Sequence, residues 1–471
     1  MCPCSARTAA RVELMTRAPG SAAQPISLSQ RVLRAGAWTL VGHTASQAVR
    51  LVSNLLMTRL LAPDLFGVMA IALTFVTALE MLSDVGLRQV VIQHREDNDS
   101  ELLNTVWTVQ LIRGVVLAIF GAALALGLSI LQAVGSLMPP SAYGHPGLPV
   151  ALAIIALSSL FNGFASTQLL TASRSLQLAR VTLIDLLAQI TAMAVMVPLA
   201  WRSPSIVAIA IGIVAGTVLR CVLSHTIIPG YQNRLCWSVP HVREIFGFGK
   251  WVIWTSMLGF ALNSADTWIL GAMLPASEFG VYTIAVLIVG TVTGFGQKLL
   301  AAVAHPAFSH AQRSSPAGLC DVYYRFRLPV DMLSCGLAGL LVASAPALIR
   351  ALYDPRYEGA GQAIQVLALP LLLMGPGLAA TVYMVVGKPS LMVWPMAIRL
   401  LAMVIAIPTL TSHYGMLGGA AGVVVGHACS VPVIYVLKAR LGLMKLRREL
   451  IGPLFFLAGM LCGYVLNSLY I

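Results

Sequence analysis

Charge is what this chain has least of. Only 10% of its 471 residues are charged, against roughly 25% in an average soluble domain. Acidic residues are scarcer than basic ones, 17 Asp+Glu to 30 Lys+Arg, for a formal net charge of +13. So little charge excludes a soluble enzyme and a disordered chain alike. Long polar loops are missing as well. The longest stretch assigned below to the outside, about 132–148, carries no acid–base pair, where a membrane polymerase or ligase would present catalytic groups on a larger loop. No nucleophile elbow or metal-ligand spacing is found, and Phe246-Gly247-Phe248-Gly249-Lys250-Trp251 lacks the glycine spacing and the Lys-Ser/Thr of a phosphate loop. The eight cysteines build no disulfide framework, since none falls in an external loop. The first 30 residues hold no long apolar run, so neither a signal peptide nor an N-terminal anchor is expected there.

What remains is apolar: 58% hydrophobic residues and a mean hydropathy of +0.85. Runs of about 20 apolar residues, enough to cross a bilayer, lie near 36–61, 65–90, 102–131, 148–172, 177–200, 204–228, 246–273, 278–304, 328–350, 360–386, 389–411 and 416–437, with a thirteenth at 451–470. With the N-terminus inside, internal segments hold 22 of the 30 Lys+Arg. The outside holds only Arg59, Arg202, Arg350 and Arg356, while Arg50, Arg113, Arg220 and Arg399 fall within spans. That asymmetry fixes the orientation and explains the basic balance without any nucleic-acid partner.

The chain also repeats itself. Gly36 and Trp38 match Gly249 and Trp251, Leu61 matches Leu274, and Phe66-Gly67-Val68 matches Phe279-Gly280-Val281, all at one offset. The repeat starts at spans 1 and 7, so its halves are parallel in topology. The expected fold is an all-α polytopic membrane protein: two parallel six-helix bundles around a central cavity, with 12–13 transmembrane helices. Residues 1–34 form a cytoplasmic tail, 35–230 the N-lobe, 231–245 a cytoplasmic linker, 246–438 the C-lobe, and 439–471 a basic loop with an extra C-terminal helix.

Ionisable groups inside a membrane normally face a cavity or a partner, because each costs at least about 2.5–3.5 kcal/mol at the bilayer centre. Span 1 places His43, Gln47, Arg50, Asn54 and Thr58 on one helical face. In the repeat, Asn263, Asp266 and Thr267 of span 7 stand opposite Arg50, Ser53 and Asn54, so one half offers a cation and the other an anion. Arg113 and Arg399 add buried positive charge, His427 could titrate, and Glu80, Asp84, Asp185 and Gln189 complete the intramembrane polar set. One reading is a water-filled cavity with cationic walls suited to a phosphate-bearing substrate, which arginine binds bidentately. The other is internal pairing of each arginine with Glu80, Asp84 or Asp266, holding helices together. The polar stripe around Arg50 favours the first for that residue, and Arg220, near the inner end of its span, is expected to snorkel to the interface.

RLLAPDLFGVMAIALTF (59–75) and DVGLRQVVIQ (84–93) resemble bacterial oligosaccharide and exopolysaccharide flippases, the polysaccharide transporters of the multidrug/oligosaccharidyl-lipid/polysaccharide exporter superfamily. FNGFASTQL (161–169), SHTIIPGYQNRLCW (224–237), REIFGFGKW (243–251) and SADTWILGAMLPASEFGVYTIA (264–285) add to the likeness, which runs over about 30–450. The resemblance implies two lobes in alternating access that move an undecaprenyl-diphosphate-linked oligosaccharide from the cytoplasmic to the periplasmic leaflet of the bacterial inner membrane. This would serve exopolysaccharide or O-antigen synthesis alongside polymerase and export machinery. It further implies diphosphate contacts at Arg50, Arg113 and Arg399, with His43, Gln47, Asn54 and Asn263 lining the cavity. It places Na+ or H+ coupling at Asp266 and Thr267, and calls for no other cofactor. A drug or organic-cation exporter of the same fold, a membrane glycan polymerase and a purely structural scaffold stay open at this point.

Overall fold

The computed structural model describes residues 28–83, 86–93, 99–135, 140–174, 178–228, 233–314, 318–449 and 451–469. These residues form helices and no β-strand, with one isolated bridge between Ser141 and Pro275. Ten helical segments among them are long and apolar enough to cross a membrane. In chain order the first half comprises α1 Leu28–Leu60, α2 Pro63–Leu82, α3 Leu87–Gln93, α4 Ser100–Ala133, α5 Gly147–Phe164, α6 Gln168–Arg174, α7 Leu178–Arg202 and α8 Ile206–Thr226. The second half comprises α9 Val239–Met273, α10 Ala276–Ser314, α11 Leu319–Leu352, α12 Gly359–Leu367, α13 Met374–Gly377, α14 Ala379–Val385, α15 Val393–Arg440, α16 Leu446–Glu449 and α17 Ile451–Leu469. α9 begins with Val239-Pro240, proline being suited to a first turn where its missing N–H is no loss.

Two of these elements are discontinuous. Residues 355–385 cross as α12, a 3-10 turn at Leu369–Leu373, α13 and α14, interrupted where Pro370 and Pro376 remove backbone donors. α15 turns at Gly415, whose φ of 57° belongs to the left-handed region that glycine tolerates. Its two halves then pack on each other. A Cβ at Gly422 would come within 2.7 Å of the Ile407 Cα. The 48 residues of α15 therefore supply the two spans expected at 389–411 and 416–437.

The two bundles meet where α1 ends and α2 begins. Gly67 of α2 faces Gly280 of α10 so closely that a Cβ on Gly67 would stand 2.6 Å from the Ala276 carbonyl oxygen, and one on Gly280 would overlap that of Pro63. Around this crossing the Tyr357 hydroxyl donates to the Leu61 carbonyl (3.1 Å), the Ala276 N–H to that of Pro140 (2.7 Å), and Phe75 packs edge-on against Trp268. Val68, Ile71, Ala72, Phe279, Tyr282 and Ile284 from both repeats merge here into one buried core.

α17 lies against α11. Gly336 and Gly339 on one helix meet Phe456 and Gly459 on the other, and Gly463 meets Ala343. With no hydrophobic driving force between helices in lipid, such small residues let the backbones approach and gain dispersion contact. The extra C-terminal helix thus belongs to the second bundle.

Candidate functional site

α1 stands between two spaces. Gly42 and Ser46 on one face line a polar cavity of about 650 Å³, with Thr182, Asp185 and Gln189 of α7, Thr217 and Arg220 of α8, and Lys298 of α10. Ser46 and Gln189 hydrogen-bond through Oγ and Oε1 at 3.0 Å. Thr44, Gln47, Ala48 and Leu51 on the other face line a groove of about 600 Å³ whose remaining wall is nearly all apolar: Val292 and Phe295 of α10, Phe326, Val330 and Leu333 of α11, and Leu371 and Met374. A third cavity of about 300 Å³ inside the first bundle is lined by Glu80, Gln110, Arg113, Asn162 and Arg220.

Arg50 stands one helical turn beyond both Ser46 and Gln47, on the strip of α1 between the face that lines the first cavity and the face that lines the apolar groove, and is part of neither lining. Its side chain is exposed and makes no hydrogen bond or ion pair with the described residues; only its carbonyl is used, accepting from Asn54 Nδ2 at 2.9 Å. The charged arginines differ sharply in this respect. Arg113 donates from Nε to Ser83 Oγ (2.8 Å) and from Nη2 to the Glu80 carbonyl (2.6 Å). Arg220 does not snorkel: Asp185 of α7 lies 2.8 Å from its Nε, and a carboxylate within reach outcompetes the interface. The Asp185–Gln189 spacing was visible in the sequence, but which arginine it met depended on how α7 packs on α8.

In the second bundle, Asp266 Oδ2 accepts from the Tyr282 hydroxyl (2.7 Å), and Thr267 Oγ1 lies 3.5 Å from Asp266 Oδ1. Arg399 of α15 is close enough for its charge to act on Asp266, while its Nε is buried without a hydrogen-bond partner. His427 Nδ1 contacts the Val423 carbonyl at 2.9 Å. Asn263 turns back to the Gly259 carbonyl (2.8 Å), as Asn54 does to that of Arg50. The expected residues are therefore spread: Gln47 and Arg50 lie together, Arg113 lies in the first bundle, and Asp266, Thr267 and Arg399 in the second. The His43 side chain, like Asp84, lies outside the described residues.

One cluster escaped sequence reasoning altogether. Arg327 and Lys438, counted above among the internal topological charges, are 3% and 0% exposed. Glu449 of α16 accepts from Arg327 Nη1, Lys438 Nζ and the Tyr324 hydroxyl, and Asp331 Oδ2 from Arg327 Nε at 2.9 Å. Lys438 also lies 4.9 Å from the centre of the Tyr435 ring, within cation–π range. Only the Arg327–Asp331 spacing of four residues hinted at it. The described residues contain no group of three or more His, Cys, Asp or Glu able to hold a metal ion, and the six described cysteines are free.

Two helical bundles crossing at a shared core, with a broken span and intramembrane charges, define a multi-pass membrane protein of the transporter fold. Comparison with known proteins agrees. Among solved structures, the lipid II flippase MurJ in an inward closed conformation superposes with a TM-score of 0.72 at 11% identity, covering 91% of this chain and 92% of that one. An inward-facing multidrug resistance MATE family transporter of the MOP superfamily gives 0.60 at 14% identity, covering 86% and 94%. The family described as "Polysaccharide biosynthesis protein" matches residues 56–362, and the chain belongs to it. The lipopolysaccharide biosynthesis protein WzxC of Escherichia coli (strain K12) is 20% identical over 330 residues, 68% of this chain; the match spans 63% of that relative's length.

Proposed function

We propose that this protein is a flippase for an undecaprenyl-diphosphate-linked oligosaccharide, carrying the repeat unit from the cytoplasmic to the periplasmic leaflet of the bacterial inner membrane by alternating access, with its N-terminus in the cytoplasm. The observation that carries this reading is the exposed Arg50 guanidinium, without a partner among the described residues, on the strip of α1 between the face that lines a cavity with Ser46, Asp185, Gln189 and Arg220 and the face that lines an apolar groove. Such a substrate has three parts of different polarity, and α1 offers a surface to each. The prenyl chain fits the groove along Ala48, Leu51, Phe295 and Leu333, and sugar hydroxyls fit the cavity around Ser46, Asp185 and Gln189. The diphosphate between them falls to Arg50, whose planar fork binds phosphate oxygens and stays charged when desolvated. A glycan diphosphate cannot cross hydrocarbon bare, because desolvating it costs many kcal/mol; protein donors replace water along the path.

Family membership and the MurJ-like fold support a lipid-linked substrate and transport rather than bond-making chemistry. A drug or organic-cation exporter would want unpaired acidic walls, whereas Asp185 is held by Arg220 and Asp266 by Tyr282. Arg113 and Arg399 are secondary diphosphate contacts in this scheme. Coupling to Na+ or H+ is assigned to Asp266 and Thr267. Polysaccharide polymerase and export machinery are the partners that would consume the product.

Reconstituted protein tests the proposal directly. Liposomes carrying it should move an undecaprenyl-diphosphate-linked oligosaccharide between leaflets without lengthening the glycan. Elongated product would make it a polymerase, and substrate that never changes leaflet would end the flippase reading.

A further inference from the structure

The Arg327 cluster lies on α11, whose Val330 and Leu333 line the groove beside α1, and its two carboxylates are treated unequally. Glu449 accepts from three donors, Arg327 Nη1, Lys438 Nζ and the Tyr324 hydroxyl. Asp331, whose side chain is 4% exposed, accepts from one: Arg327 Nε reaches Oδ2, and Oδ1 is buried with no hydrogen-bond partner. A buried carboxylate oxygen left without a donor bears its desolvation uncompensated. Of the two acids, Asp331 is the one with a vacant oxygen to protonate, while Glu449 is held as an anion by its donors.

That vacant oxygen sits at a mechanical junction. Asp331 Oδ1 presses on Gly375, where a Cβ would overlap it, and Gly452 of α17 approaches the same carboxylate. Gly375 lies in α13, the short middle piece of the interrupted 355–385 span. Broken helices beside buried ionisable groups are where transporters place ion sites, because interrupted backbone can rearrange without unwinding a whole helix. A cavity of about 400 Å³, lined by Asp331 with Tyr324, Arg325, Arg327, Asp321 and Arg448, links the junction to the exposed Asp321 and Arg325.

We propose that Asp331 is a proton-binding site of the second bundle, filled from the end of the molecule at which α16 lies, and that its protonation releases the 369–377 segment. The step is simple in its balance: a proton from water bonds to Oδ1, the carboxylate becomes a neutral acid, and release returns the proton to water. The groups acting on Asp331 are Tyr323, Arg327 and Cys335 on its own helix, Lys438 on α15 and Glu449 on α16, with Asp321, Tyr324, Arg325 and Arg448 around the same cavity; α13 and α17 bring the backbones of Gly375 and Gly452. With both acids ionised, two anions balance Arg327 and Lys438. Once Asp331 is neutral, the cluster carries one excess positive charge, and the contact of Oδ1 with the Gly375 backbone is no longer that of a buried anion.

Infrared difference spectroscopy on the full-length protein in lipid nanodiscs, acidified stepwise, reads the site without any substrate and so stands apart from the flippase assay. Wild type should gain a carboxylic-acid carbonyl band that Asp331→Asn lacks, and hydrogen-exchange protection over 369–377, corrected for the intrinsic rate at each pH, should fall on acidification in wild type only. An unchanged band in a folded Asp331→Asn protein overturns the proposal. If that variant does not fold, Gly375→Ala carries the test: pushing on Oδ1, it should move the midpoint of the band at least threefold in proton concentration, and a wild-type midpoint contradicts the assignment.

Discussion

Gly67 and Gly280 occupy equivalent places in the two repeats and face each other across the junction of the bundles, each leaving the space that the other's backbone fills. The Phe-Gly pair that reveals the repeat in the sequence is thus the contact on which the halves close. Substituting valine at Gly280 overpacks this crossing, where extra methyl groups cost about 1–3 kcal/mol. That is roughly a tenfold shift away from the closed junction at 1.4 kcal/mol. Spin-label distances between α2 and α10 should lengthen in Gly280→Val while the protein stays monodisperse.

Glu449 holds two buried cations, so removing its charge should hurt more than losing an exposed acid. Breaking a buried pair by deleting one partner costs about 3–5 kcal/mol. Glu449→Ala should lower the thermal unfolding temperature in detergent markedly. Glu278→Ala, at a carboxylate with no ion pair among the described residues, should leave it near wild type.

The α11–α17 contact rests on missing side chains. Gly459→Leu should force these helices apart and release α17, detected as new protease cleavage between Lys445 and Ile451. Gly290→Leu, where a Cβ meets nothing within 4 Å, is the matched control and should stay intact.

At the junction end, Asp354 caps a 3-10 turn, and its hydrogen bond from Arg356 Nε (2.8 Å) holds its carboxyl below the usual carboxylate range. A lowered native value means the contribution is full above the unfolded carboxylate pKa of about 3.9 and fades as the pH falls through the native one. Arg356 also points Nη2 at the Thr58 and Arg59 carbonyls (3.5 Å). Acid sensitivity of the α1-to-turn distance should therefore begin only below the ordinary carboxylate range and vanish in Asp354→Asn.

Much of the architecture was legible because bilayer thickness makes apolar length decisive, and because Leu61-to-Ala72 and Leu274-to-Ala285 carry the repeat in plain residues. The single helix α15 reads as two spans in both sequence and structure, since Gly415 is where one ends. The polar stripe of α1 likewise placed Gln47 and Arg50 together. Side-chain pairing was less legible. Arg220 with Asp185, and Glu449 with Arg327 and Lys438, join positions 11 to 122 residues apart, and only helix packing decides those partners. Asn54 and Asn263, read from the sequence as cavity donors, each donate to a backbone carbonyl one turn back.

The central claim is that Arg50 binds the diphosphate. Complementation of a strain lacking its own repeat-unit flippase, scored by surface polysaccharide, tests it most directly with wild type, Arg50→Ala and Arg50→Lys at equal expression. The account predicts rescue by wild type, loss in Arg50→Ala and impaired rescue in Arg50→Lys, because an ammonium cannot reproduce the bidentate fork. Full rescue by Arg50→Ala would contradict it.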